Sequence, residues 1–95
     1  MVTADAIEGI VDAQFRFHYD MQADVLYIRQ ISSEGVETIG ELNDAGDILL
    51  REQISDRTVG ITVVSWWKRF GEGNFPDSIS EIARRIEPLA KRLAA

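Results

Sequence analysis

Apolar and polar residues alternate strictly in "QFRFHYD". Phe15, Phe17 and Tyr19 point one way, and Arg16 and His18 the other. A period of two predicts a strand. "VLYIRQI" (25–31) is rich in β-branched and aromatic residues and predicts a second, with Leu26, Ile28 and Gln30 on one face and Val25, Tyr27, Arg29 and Ile31 on the other. "VETIGEL" (36–42), "DILLREQI" (47–54) and "VGITVVSWW" (59–67) predict three more, separated by the turn-forming stretches "SSEG", "NDAG" and "SDRT". These links are too short for parallel crossovers, which need a dozen residues or more, so the sheet is expected to be an antiparallel meander of four or five strands.

The period then changes. After the loop "FGEGNFPDS", apolar residues recur at spacings of three and four: Ile79, Ile82, Ala83, Ile86, Leu89, Ala90 and Leu93. That pattern predicts an amphipathic helix over 77–94, with Ser78 and Glu81 spaced as a capping box. Pro88 lies inside it, and a kink or break is expected near Ile86–Glu87. The N-terminal stretch 2–13 stays open between a short helix capped by Thr3 and a lead-in to a strand, with Gly9 counting against the helix. The fold class is therefore α+β, in a single domain over 1–95. Segment 1–13 is unassigned, the sheet covers 14–67 and the helix 77–94.

One antiparallel sheet with one covering helix should keep a wet face. Here both faces read as apolar, in the strand 25–31 and again in 59–67. A second copy of the chain is the expected cover, with the N-terminal segment as the competitor. "WWKRF" (66–70) sharpens this expectation. Read as the end of a strand, it sends Trp66 and Trp67 to opposite faces, one into the core and one half-exposed. Tryptophan and arginine are enriched at interface hot spots. The interface candidates are Trp66, Trp67, Lys68, Arg69 and Tyr27, with Ile82 and Ile86 of the helix stripe.

Composition narrows the function classes. The 95 residues contain no cysteine, which removes disulfides, thiolate chemistry and cysteine-ligated metals. The formal charge of −6 argues against general nucleic-acid binding. That charge is uneven: residues 1–60 hold twelve acids and four bases (−8), and residues 61–95 six bases and four acids (+2). A basic C-terminal third could meet an acidic partner. No apolar run approaches membrane-span length, and the start lacks a positive region followed by an apolar stretch, so a cytoplasmic protein without a secretory signal is expected.

Tyr19-Asp20, Ala23-Asp24, Leu26-Tyr27-Ile28, Asp56-Arg57 and Val59-Gly60-Ile61 fall in an order that resembles DUF2283, a family of small bacterial and archaeal proteins without an established activity. The resemblance covers about residues 15–64. It implies a small antiparallel sheet with a helix, and an antitoxin-like role. The chain departs from the pattern at Arg51 and Gln53, where the family carries acids, and the segment from Trp66 onward lies outside the common motif.

His18 is the only histidine. It stands near Asp20 and Asp24, but those aspartates suit a turn, and one histidine does not make a metal site. The serines have no histidine in register, and the pairs Glu37/Glu41 and Asp44/Asp47 suit solvated strand and turn positions better than acid–base work. No enzyme, metal or cofactor is expected. The favoured function is protein–protein interaction by a small homodimer with an antitoxin-like or regulatory role, open to a small protein partner. The alternative is a small-molecule or anion-binding domain built on His18, Arg29, Arg51 and Arg57.

Overall fold

The computed structural model describes residues 6–94. Six strands form a single antiparallel sheet: β1 (Ala6–Val11), β2 (Phe15–Asp20), β3 (Val25–Gln30), β4 (Thr38–Leu42), β5 (Ile48–Glu52) and β6 (Thr58–Val64). Two helices follow, the short α1 (Trp66–Phe70) and the long α2 (Ile79–Ala94). The α+β class, with an antiparallel sheet and a C-terminal helix, agrees with the sequence pattern.

The sixth strand is β1, from the segment that the pattern left open. It pairs along its whole length with β2, and Gly9 faces Phe17. The glycine is needed there, because a Cβ would lie 2.6 Å from the Phe17 ring. The β1–β2 turn places Asp12 and Ala13 both in the left-handed region (φ 54° and 53°), with Gln14 N–H donating to Val11 O at 3.2 Å. That is the geometry of a type I′ hairpin made without glycine. Thr3, the expected helix cap, lies outside the described residues.

The strand order is β1-β2-β3-β6-β5-β4. Two three-stranded meanders are thus joined through β3 and β6, and β4 goes to the far edge. "SSEG" is not a hairpin turn. Ile31–Ser33 form one turn of 3₁₀ helix, and the Arg29 guanidinium bonds Ser33 O at 2.8 Å and Val36 O at 2.7 Å. This latch carries the chain past the ends of β6 and β5. Opposite Leu50–Arg51, β6 carries one extra residue, Val59, which breaks the strict alternation.

The core lies on one face of the sheet. Phe15, Phe17 and Tyr19 of β2, Leu26 and Ile28 of β3, and Ile61 and Val63 of β6 pack beneath Ile82, Ile86 and Ala90 of α2. Ser78 starts the helix, with its Oγ accepting from Glu81 N–H at 3.2 Å. The expected break at Pro88 is absent, and α2 runs through it as one 16-residue element. Pro88 is exposed, so the carbonyl it fails to bond one turn back can meet water. The helix leans on β1, with a lighter contact on β6 and none of comparable extent on β4 or β5. No helix among the described residues is long and apolar enough to cross a membrane.

Candidate functional site

"WWKRF" is not the end of a strand. β6 stops at Val64, Ser65 turns left-handed (φ 55°), and the five residues wind into α1. Asp24, on the β2–β3 turn, drives the change. Its Oδ1 accepts from Trp67 N–H at 2.8 Å and its Oδ2 from Lys68 N–H at 3.1 Å, while Trp66 N–H donates to Asp24 O at 3.1 Å. A carboxylate from the β2–β3 turn therefore caps a helix whose own N-cap, Ser65, makes no side-chain bond. Tyr19 OH donates to the same Oδ1 at 2.6 Å. Burial pushes the Asp24 carboxyl up, but the Tyr19 hydroxyl and the two amides outweigh it and hold the group below its usual range. Burial, followed by the bond to Asp24, pushes the Tyr19 phenol well above its own.

The tryptophans divide as a joint would. Trp66 is buried, edge-on to Tyr19 at 5.1 Å. Trp67 is half-buried, edge-on to Trp66 and Phe75, and the Arg85 guanidinium lies 5.1 Å from its ring. Arg69 ties α1 to the β4–β5 turn. It donates to Asp47 Oδ1 at 2.6 Å, to Val64 O at 3.0 Å and to Ala45 O at 3.1 Å. Asp47 is almost wholly buried, while the Arg69 side chain keeps part of its surface in solvent. Asn43 shapes the same turn, its Oδ1 accepting from Ala45 N–H at 3.0 Å and Asp47 N–H at 2.9 Å.

Because α2 leans toward β1, a groove of about 770 Å³ opens between α1, α2 and strands β5 and β6. Leu49, Ile61, Val63, Leu89 and Leu93 give it an apolar lining, and Arg69, Arg85 and Arg92 stand along it.

The opposite face of the sheet has no cover from the described residues. The cross-strand registers align Tyr27, Thr62, Ile48 and Leu42 in one row and Arg29, Gly60, Leu50 and Gly40 in the next. Ile10 is 52% exposed, Tyr27 44%, Val64 41% and Leu42 70%. Several polar groups on this face are engaged within the chain. Arg16 Nε meets Glu34 Oε2 at 3.0 Å, His18 Nδ1 meets Glu8 Oε2 at 3.4 Å, and Arg29 bonds backbone carbonyls, although its buried Nε has no partner.

The four candidate ligand residues do not share a site. His18 and Arg29 stand on the uncovered face. Arg51 follows Leu49 onto the other side of its strand and is taken up by Glu41 and Asp56. Arg57 reaches Gln30 Oε1 at 3.3 Å. Among the interface candidates, Ile82, Ile86 and Trp66 are spent on the intrachain core, and Arg69 on Asp47. Tyr27, Lys68 and part of Trp67 remain at the surface. The sequence reading takes Asp24 as a turn former and misses its role as a cap. The signal available was its place in an Ala-Asp turn directly after a Tyr-Asp strand end.

Compared with protein-family models, curated proteins and solved structures, the chain matches none.

Proposed function

We propose that this protein is an interaction module that works as a homodimer, closed by packing the uncovered sheet face of one copy on that of another. The largely apolar row across β3, β6, β5 and β4, left without cover by the described residues, carries the proposal. Three further points support it. Exposed apolar surface of this continuity usually marks an interface. Six strands about 4.8 Å apart and about 20 Å long give a face of roughly 600 Å² in projection, and side-chain relief brings it toward the roughly 800 Å² per partner of a stable pair. The Arg16–Glu34 ion pair and the backbone bonds of Arg29 hold both arginines of the face within the chain, which lowers the cost of bringing two faces together.

A self-complementary face suits a two-fold pair, in which a residue of one copy that meets a second residue of the other is matched by the reverse contact across the axis. The antitoxin-like or regulatory role follows only from the DUF2283 resemblance, and the dimer is the form in which the protein would act. Sedimentation equilibrium tests the proposal. The wild type should sediment as a dimer, and Tyr27→Glu with Val64→Glu as a monomer with an unchanged far-UV spectrum. A monomeric wild type, or a double variant that associates as tightly, would sink it.

A further inference from the structure

We propose that the groove between α2 and strands β5–β6 is a second, separate site, which binds a small amphiphilic anion. It does not depend on the dimer.

The volume of about 770 Å³ falls within the roughly 300–1,000 Å³ of small-molecule sites. The groove lies beside the line where α2 rests on β1, with Leu49, half-buried against the edge of the core, in its lining. Its floor is apolar and calls for a ligand body of the same kind. Its charge has one sign: three guanidinium groups against a single carboxylate, Asp47, whose Oδ1 is already bonded to Arg69 at 2.6 Å. Arg85 lies over the Trp67 ring, a contact that leaves its donors free for an anion. Arg92 has no hydrogen-bond or ion-pair partner among the described residues. In a chain of net charge −6, two arginines without an ion-pair partner among the described residues, Arg85 and Arg92, over an apolar floor are a selective feature, and their complement is an anionic head on an apolar body.

Carboxylate and phosphate heads share this chemistry, and an alkyl series separates them. Dodecanoate, dodecyl phosphate and dodecanol, each below its micelle concentration, would be titrated into the full chain. Binding is read by tryptophan fluorescence, since Trp66 lines the groove, and checked by calorimetry. The expected result is one saturable site for at least one of the two anions, with the tighter head naming the source. Dodecanol should bind at least about tenfold more weakly, and Arg92→Ala should weaken the anion about tenfold. Arg85→Ala with Arg92→Ala should weaken it further, while Lys68→Ala should change nothing. The Tyr27→Glu, Val64→Glu variant should bind as the wild type does, whether or not the wild type is a dimer.

Several outcomes would overturn the proposal: no saturable binding of either anion, equal binding of dodecanol, or indifference to both arginines. Loss of binding in the Tyr27→Glu, Val64→Glu variant would place the ligand on the other face. Binding that weakens as protein concentration rises would give the groove to a second copy.

Discussion

At Asp24 a left-handed backbone (φ 55°) aims one carboxylate at three donors: Tyr19 OH, Trp67 N–H and Lys68 N–H. Asparagine tolerates the same backbone and keeps one acceptor, so Asp24→Asn isolates the charge. Urea unfolding at neutral pH should show a loss of about 1–3 kcal/mol. Because the folded carboxyl titrates below its ordinary value of 3.8, its stabilisation is present above that value and is lost as pH falls through the lower folded one. The gap between wild type and Asp24→Asn should therefore close in acid, and a gap independent of pH would deny the charge its role. A second residue explains why β1 was hard to read. Ala13 sits at φ 53° in a type I′ turn, a position that favours glycine, so the usual hairpin signal is missing from the sequence. Ala13→Gly should raise stability by several tenths of a kcal/mol or more, measured by the same unfolding curve.

Among the elements, those with a clean period were legible. β2, β3 and α2 each bury one regular set of side chains, and their patterns show it. α1 was not legible, because "VVSWWKRF" is locally a good strand. What bends it is Asp24, more than forty residues earlier, together with the left-handed Ser65. Gly71 closes the far end, where a Cβ would lie 2.2 Å from the Trp67 ring. Pro88 is accommodated for a related reason. Its cost depends on where the freed carbonyl points, and on an exposed flank of α2 water can meet it. Most of the proline penalty is then one of propensity, which proline to alanine in a helix interior recovers. Pro88→Ala should stabilise the chain by about 1–3 kcal/mol, as a raised melting temperature. An unchanged or lowered melting temperature would mean that the proline packs productively in the groove wall.

The whole molecule places its apolar surfaces on two sides of one half-covered sheet, and its net charge separates their behaviour. Neither the strand order nor the lean of α2 can be read from local periodicity, because both depend on where the β3–β4 latch and the Gly9–Phe17 fit set the chain. The sequence therefore points to two apolar faces without saying which the helix would take. Two copies of −6 repel at long range, and their proposed contact centres on the uncharged row Tyr27, Thr62, Ile48 and Leu42, so added salt should screen the repulsion and tighten the dimer. An amphiphilic anion in the groove is held in part by Arg85 and Arg92 at the surface, so the same salt should weaken its binding. Sedimentation and dodecyl phosphate titration, run at low and at physiological ionic strength, should thus move in opposite directions. If both weakened together, the dimer contact would have to be ionic, and the basic groove meeting the acidic first sixty residues of a second copy would become its natural seat. If both tightened, the ligand would be held by its tail alone and the arginines would have no part in it.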